Sequence, residues 1–161
     1  MGLGFLGMAR TYRLGRGRRI VNAAVKPLTR LGLAGRHTYL LRVPGRRSGR
    51  IYETPVTLVE DGERWLVAPY GAVAWVRNLR AAGECELQQR GEVQKVRAEE
   101  VGPELAGPVL KRYVKQVAVV RPYFDASSDA PEAEFAAEAD RHPVFRITPA
   151  SESAPPRTPP R

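Results

Sequence analysis

Short strand-like runs separated by glycine-containing turns fill the middle of this chain. The turn GRRSGR follows the first run, Asp61-Gly62 separates the second from the third, and Arg90-Gly91 joins a later pair. Asp-Gly pairs are strong signals of tight hairpins, whose strands are antiparallel neighbours. Short strands in this order close most economically into a small barrel, because closure removes exposed sheet edges. Neighbouring α+β layers are the alternative.

Residue patterns give boundaries for five or six mainly antiparallel strands and for helices outside them. The predicted strands span residues 37–43, 51–60, 64–68, 84–89, 93–101 and 144–148. Pro55 lacks an N–H and therefore predicts a free edge or a bulge in the second strand. In that strand Val56 and Leu58 should point one way, and Val59 the other.

Four helices are predicted around these strands. The first is amphipathic and spans residues 18–33, and the second is short, ends at Gly83 and carries Trp75, Val76, Leu79 and Ala82 on one face. The third begins near Pro103, with an apolar stripe of Leu105, Val109, Leu110, Tyr113, Val114 and Val117. The fourth is capped by Asp129, carries Glu132, Phe135 and Ala139, and is stopped by His142-Pro143.

Length and composition indicate one folded domain with two extensions. A chain of 161 residues with 43% hydrophobic residues can bury one proper core. We expect a basic N-terminal region over residues 1–35, a domain over 36–149 and a disordered Pro-rich tail over 150–161. The apolar run at the start precedes the arginines, the reverse of a secretory signal, so we expect a cytoplasmic protein.

Positive charge is concentrated in the first third of the chain. Twelve of the 26 basic residues precede Glu53 and no acidic residue does, leaving 14 basic and 17 acidic residues, a net charge of −3, after it. Such a field attracts phosphates, anionic lipid or nucleic acid. The N-terminal helix could lie on an anionic membrane surface or pack on its own domain. Nucleic acid is disfavoured, because no aromatic residues alternate with the basic ones on a strand.

The common catalytic motifs are absent from the sequence. His37 and His142 are the only histidines, and neither has metal-ligand spacing to Cys, Asp or Glu, so no metal site is expected. No P-loop, no nucleophile elbow and no dinucleotide loop after a strand occurs. Cys85 lies in an alternating strand pattern and is read as a buried structural thiol. Chemistry carried by a bound cofactor therefore becomes the main possibility for an enzyme.

The turn between the first two strands is typical of an anion site. Arg46 and Arg47 offer planar, permanently charged forks, while Ser48 and the neighbouring glycines offer a hydroxyl and accessible backbone N–H groups. The alternative is an ordinary exposed hairpin tip. The later loop APYGAVAWVRN, with Tyr70 and Trp75, could line a planar heterocycle.

Four ordered blocks, GRRSGR with ETPV, WLVAPYG, AWVRNLRAAG, and RPYF with HPVFRI, resemble the deazaflavin-dependent nitroreductase and quinone reductase family of actinobacteria. The resemblance covers residues 36–149. It implies a six-stranded antiparallel split β-barrel of the flavin-reductase type with flanking helices, of α+β, mainly β class. It also implies the reduced deazaflavin coenzyme F-420 as hydride donor, with FMN as the alternative cofactor.

The same resemblance implies roles for individual residues. In the family the arginine turn holds the cofactor's phosphate and acidic tail. The cofactor-binding residues it implies are Arg46, Arg47, Ser48, Thr54, Pro55, Val56, Ala68, Pro69, Tyr70, Trp75 and Asn78. An aromatic residue of RPYF, Tyr123 or Phe124, would face the substrate, and Tyr123 and Tyr70 are the candidate proton donors.

The expected reaction is transfer of a hydride from the coenzyme to a quinone, a nitroaromatic compound or another activated acceptor. The alternative function is a non-catalytic split barrel that binds the cofactor or a lipid. We expect a monomer or homodimer in the cytoplasm, with the N-terminal helix as the candidate contact to a membrane.

Overall fold

The computed structural model describes residues 35–150, which form a six-stranded barrel with helices outside it. The strands are β1 Thr38–Pro44, β2 Ile51–Glu60, β3 Arg64–Val67, β4 Glu84–Gln89, β5 Glu92–Glu100 and β6 Val144–Pro149. The helices are α1 Ala74–Ala82, α2 Pro103–Gln116 and α3 Glu132–Ala137, with a 3-10 helix over Ala118–Tyr123. The predicted helix over residues 18–33 and the predicted tail lie outside the described residues.

The barrel closes in the order β1, β2, β3, β6, β5, β4, and every neighbouring pair is antiparallel. This confirms the predicted six-stranded antiparallel barrel. Both predicted tight hairpins are present, since β2 pairs with β3 across Asp61-Gly62 and β4 pairs with β5 across Arg90-Gly91. The long crossover that contains α2 and α3 joins β5 to β6, which enters the sheet between β3 and β5.

Side-chain alternation along the strands creates two apolar clusters, one on each side of the barrel wall. Val56 and Leu58 of β2 point into the barrel, whereas Val59 points outward, as predicted. The outer cluster also contains Trp65 and Val67 of β3, against which α2 packs. The helical layer thus covers the β2–β3–β6 side of the barrel.

Within residues 35–150, one edge of β2 has no strand partner over most of its length. Strand β1 pairs with residues 51–57 of β2, whereas β3 pairs only with Leu58, Val59 and Glu60 on the other edge. The backbone N–H of Leu58 donates to His37 on the β1 side at 2.9 Å, and alternation therefore turns the nitrogen of Pro55 to the free side. Because the nitrogen of Pro55 faces this edge, its missing N–H interrupts no hydrogen bond between paired strands. This confirms the predicted edge position of Pro55.

The predicted stripe of α2 is confirmed at Val109, Leu110, Tyr113 and Val114, which are buried, but not in the first turn of the helix. There Leu105 is 46% exposed, whereas Ala106 and Gly107 are buried. Gly107 faces α3 so closely that a Cβ atom there would lie 2.8 Å from the carbonyl oxygen of Glu132. The first turn of α2 is therefore buried through its close contact with α3.

Three other local predictions were wrong. The N-cap of α3 is Pro131, not Asp129, and the helix ends at Ala137, before His142 is reached. In α1, Ala82 is exposed and Asn78 is buried in its place among the inward-facing residues. Gly83 does end α1, as predicted, and it adopts the left-handed conformation.

Candidate functional site

The free edge of β2 forms one wall of a cavity of about 740 Å³. The loop after β3 and the start of α1 form a second wall, and the C-terminal end of α2 with the 3-10 helix forms a third. The cavity brings together ten of the eleven residues expected to bind a cofactor: Arg46, Arg47, Ser48, Thr54, Pro55, Val56, Pro69, Tyr70, Trp75 and Asn78.

Ala68 and Tyr123 do not line the cavity directly. Ala68 is fully buried in the barrel core, and its N–H donates to the carbonyl oxygen of Pro143 at 2.8 Å, so its place is structural. Tyr123 packs edge-on against the ring of Tyr70, with the centroids 4.8 Å apart. The two candidate catalytic tyrosines are therefore in contact, and Tyr70 is the one at the cavity wall.

The arginine turn is a compact, internally bonded loop. The N–H of Gly45 donates to the carbonyl of Arg50 at 2.7 Å, and the N–H of Gly49 donates to the carbonyl of Gly45 at 2.9 Å. Gly49 has φ +72°, in the region that favours glycine. The hydroxyl oxygen of Ser48 accepts from the Arg50 N–H at 3.2 Å, and its own hydrogen is left to donate to a ligand.

Asn78 of α1 anchors this turn to the barrel. Its Oδ1 accepts from the backbone N–H of Arg46 at 3.1 Å and from Nη1 of the same arginine at 2.8 Å. Asn78 is only 5% exposed, so the anchor is a buried one. Its role is therefore to set the position of Arg46, which sequence spacing alone does not reveal, because the two residues are 32 positions apart.

Positive charge on the turn is not neutralised by carboxylates within the described part of the chain. Elsewhere arginines pair with acidic residues: Arg42 with Glu53 and Glu86, and Arg80 with Glu100 at 2.7 Å. Between residues 35 and 150, no Asp or Glu oxygen lies within 4.0 Å of the guanidinium of Arg46 or Arg47. This end of the cavity thus has the field and the donors for an anionic group.

The opposite wall of the cavity is apolar and was missed by sequence reasoning. Tyr113, Val117, Val119 and Val120, from α2 and the 3-10 helix, line it. Val119 is 73% exposed and forms part of the rim. The cavity thus has a positively charged end and an apolar, aromatic end. It suits bound molecules that are anionic at the first end and flat and apolar at the second.

His142 and Glu138 form a buried polar pair behind the cavity wall. His142 was predicted to stop a helix, but its Nδ1 lies 2.9 Å from the carbonyl oxygen of Pro69, and its ring stacks on Phe124 with centroids 3.9 Å apart. Burial lowers the pKa of the His142 imidazole below its ordinary value of 6.5, against the opposing effects of the Pro69 carbonyl and the Glu138 carboxylate.

We expect this lowered pKa to make the folded state less stable in mild acid. Below about pH 6.5 the unfolded chain binds a proton at His142, whereas in the folded chain this imidazole stays neutral to lower pH. The free energy of unfolding therefore decreases as the pH falls, by at most about 1.4 kcal/mol per pH unit for one group. Above that pH both states hold a neutral imidazole and the contribution vanishes. Urea unfolding from pH 8 to pH 5 should show a steeper loss for the wild type than for His142→Asn. Equal slopes would contradict the assignment.

Cys85 and possible metal ligands are the remaining candidates for chemistry between residues 35 and 150. Burial raises the pKa of the Cys85 thiol to about 12, with smaller effects from Glu86 and Glu84, so this residue is a core thiol and not a nucleophile. Within residues 35–150 no three His, Cys, Asp or Glu side chains are placed to hold a metal ion. None of the helices in that range has both the length and the apolar character that crossing a membrane requires.

Comparison with known proteins gives matches at the level of both sequence and fold. The family model described as "F420H(2)-dependent quinone reductase" matches residues 18–132. A solved structure described as "F420-H2 Dependent Reductase (FDR-A)" aligns with a TM-score of 0.50 and 21% identity, covering 70% of this chain and 95% of that one. No curated protein matches the chain.

Two further solved structures support the fold. A chain described as a domain-swapped dimer aligns with a TM-score of 0.52 and 19% identity, over 82% of this chain and 99% of that one. A putative pyridoxamine 5'-phosphate oxidase from Listeria innocua aligns with a TM-score of 0.50 and 12% identity, over 80% and 94%. At these identities the likeness shows a shared split barrel.

Proposed function

The chain belongs to the F420H(2)-dependent quinone reductase family, and we propose that the 740 Å³ cavity beside β2 is where it binds the coenzyme and reduces a quinone. Family membership makes the protein an oxidoreductase that uses reduced coenzyme F-420 to reduce quinones. The observation that carries the assignment of the site is the arginine turn, whose cationic groups line the cavity without a carboxylate partner between residues 35 and 150.

The residues present fit the coenzyme at both ends. Arg46 and Arg47 would hold its phosphate and acidic tail through charge-assisted hydrogen bonds, with the hydroxyl of Ser48 as a further donor. The flat ring system would lie along Thr54, Pro55 and Val56, where β2 has no strand partner on its second side among residues 35–150. There the backbone groups of the strand are available to the ring edge.

When bound, the reduced coenzyme supplies the hydride, and the chain's own residues bind and orient the reactants. The acceptor would occupy the apolar side of the cavity, against Tyr113, Val117 and Val120. These side chains exclude water from the reacting atoms. Tyr70 at the cavity wall is the better placed of the two candidate proton donors, and Tyr123 supports it from behind through the edge-on ring contact.

The direct test is to mix the purified full chain with reduced F-420 and menadione and to follow reappearance of the oxidised coenzyme by absorbance. We expect oxidation that depends on both protein and quinone. Tight coenzyme binding without any turnover would favour a non-catalytic binder instead. A clear preference for FMN over F-420 in a parallel titration would contradict the cofactor assignment.

Three finer features extend this proposal. Nitroaromatic compounds should serve as alternative acceptors, since an activated acceptor is all that a positioned hydride donor requires. A homodimer is compatible with the alignment to a chain described as a domain-swapped dimer, and a monomer is the alternative. We also propose a cytoplasmic place of action, with the basic N-terminal region as the candidate contact to anionic membrane.

A further inference from the structure

Three polar or charged residues are buried between residues 35 and 150: Asn78, Glu138 and His142. Burying such groups is unfavourable unless they are well hydrogen-bonded, so each requires a structural reason. Asn78 holds the arginine turn at one end of the cavity. Glu138 and His142 lie together behind the cavity wall, where each is bonded to a neighbouring segment of the chain.

One segment held by this pair is the loop that carries Tyr70. The carbonyl of Pro69 can only accept a hydrogen bond, so Nδ1 of His142, 2.9 Å away, carries the hydrogen. The N–H of Ala68 donates to the carbonyl of Pro143 at 2.8 Å. The two residues that precede Tyr70 are therefore both bonded to the His142-Pro143 dipeptide.

The other segment is the one that carries Tyr123. The two carboxylate oxygens of Glu138 accept the backbone N–H groups of Asp125 and Ala126, each at 2.8 Å. Phe124, next to Tyr123, stacks on the His142 ring at 3.9 Å with an interplanar angle of 21°. The segment is thus bonded to Glu138 and packed against His142.

Arg141 provides the positive charge beside this pair. Its guanidinium reaches Oε1 of Glu138 at 3.2 Å and the carboxylate of Asp125 at 2.9 Å. Nε2 of the neutral His142 ring carries no hydrogen and lies 3.5 Å from the same Glu138 oxygen without a hydrogen bond. Glu138 therefore has a cationic partner and two backbone donors although it is only 3% exposed. A carboxylate this buried is retained here by specific bonds to the Tyr123 segment.

We infer that His142 and Glu138 are positioning residues, which together fix the geometry of the Tyr70–Tyr123 pair against the acceptor side of the cavity. The inference rests on the proposed function in one respect, namely that Tyr70 faces the acceptor. That His142 and Glu138 join the Tyr70 segment to the Tyr123 segment follows from the hydrogen bonds and ring contact alone. Neither residue lines the cavity, so both act through the tyrosines and not on the reactants.

Two matched variants separate positioning from general stability. His142→Phe keeps an aromatic ring to stack on Phe124 but loses the donor to Pro69, whereas His142→Asn keeps a donor near the same place without the ring. We expect His142→Phe to lower kcat with menadione by roughly ten- to hundredfold, as a small misplacement of an oriented group does. His142→Asn should recover most of that loss. The Kd for coenzyme F-420 should change by less than about threefold in both variants, because the arginine turn is untouched.

Nuclear magnetic resonance provides a measurement that needs no cofactor. In the wild type the neutral His142 ring should be the Nδ1–H tautomer, and the ring protons of Tyr70 and Tyr123 should shift in His142→Phe and return toward their wild-type positions in His142→Asn. An Nε2–H tautomer, or tyrosine resonances that do not move in His142→Phe, would overturn the inference. So would a wild-type kcat per folded molecule in His142→Phe.

The outcomes also distinguish the two proposals. A wild type that does not oxidise reduced F-420 with menadione refutes the proposed function, and the tautomer and tyrosine resonances then still decide whether the pair positions Tyr70 and Tyr123. If the wild type is active and His142→Phe, which cannot donate a hydrogen bond to Pro69, keeps the same kcat, the positioning role is refuted and the proposed function stands. If His142→Phe does not fold, the tautomer of the wild type alone decides.

Discussion

Replacing Arg46 and Arg47 together by alanine is expected to weaken binding of coenzyme F-420 by at least about a hundredfold. Each guanidinium would lose a charge-assisted hydrogen bond, for which about 1.5–3 kcal/mol is typical. We use the lower figure because both side chains are exposed and screened by solvent. Two such losses amount to about 3 kcal/mol, and each 1.4 kcal/mol corresponds to a tenfold change in Kd. Fluorescence or calorimetric titration with the coenzyme measures the effect.

The chain offers a control with the same change in net charge. Arg50 and Arg77 are also exposed, and neither lines the cavity, although Arg50 belongs to the same turn. The double variant Arg50→Ala with Arg77→Ala should therefore lose only a few-fold in affinity, through the weaker long-range field. Equal losses in the two double variants would mean that general charge, and not the cavity wall, attracts the coenzyme.

Asn78→Leu is expected to lower both the stability of the fold and the affinity for the coenzyme. Leucine has a similar size but cannot accept the two hydrogen bonds that Arg46 donates to Asn78. Leaving the partly buried N–H of Arg46 without an acceptor should cost about 1–3 kcal/mol in the free energy of unfolding. Because the guanidinium of Arg46 also loses its support, coenzyme affinity should fall by roughly tenfold.

Asn78→Asp is the matched control for this prediction. Its carboxylate retains oxygen acceptors for both donors of Arg46, so the turn should stay anchored. Urea unfolding should place it closer to the wild type than Asn78→Leu. If Asn78→Leu binds the coenzyme as tightly as the wild type, the position of Arg46 does not matter for binding and the anchoring role of Asn78 is wrong.

Local signals explain why the barrel was predictable. The Asp61-Gly62 and Arg90-Gly91 turns fix which strands are neighbours, and alternation along β2 fixes which side chains point inward. The missing N–H of Pro55 even marked the free edge that became a cavity wall. Each of these features depends on a few adjacent residues, and the tertiary contacts of the fold are compatible with them.

Long-range contacts explain what the sequence did not reveal. In the first turn of α2, Gly107 is buried against the backbone of α3 and Leu105 is exposed, a long-range contact that the helical pattern does not contain. The bond between Asn78 and Arg46, and that between His142 and Pro69, join residues 32 and 73 positions apart. The spacing of residues within one helix or strand does not predict such contacts. The roles of Asn78 and His142 could therefore be recognised only from the folded structure.

The same contrast applies to the cavity. Its cationic end was predicted because arginines on a hairpin turn are locally conspicuous. Its apolar end, with Val117, Val119 and Val120, was not, because Val117 was assigned to the buried helical stripe and the two valines after it are indistinguishable from ordinary core residues in sequence. The half of the site proposed for the anionic coenzyme was thus visible in sequence, and the half proposed for the acceptor was not.

The most direct measurement is a crystal structure of the protein with coenzyme F-420 bound. We predict that the coenzyme's phosphate and acidic tail contact the guanidinium groups of Arg46 and Arg47, and that its ring system lies along Thr54, Pro55 and Val56. A coenzyme found outside this cavity, or one whose acidic end points toward Val119 and the 3-10 helix, would contradict the account.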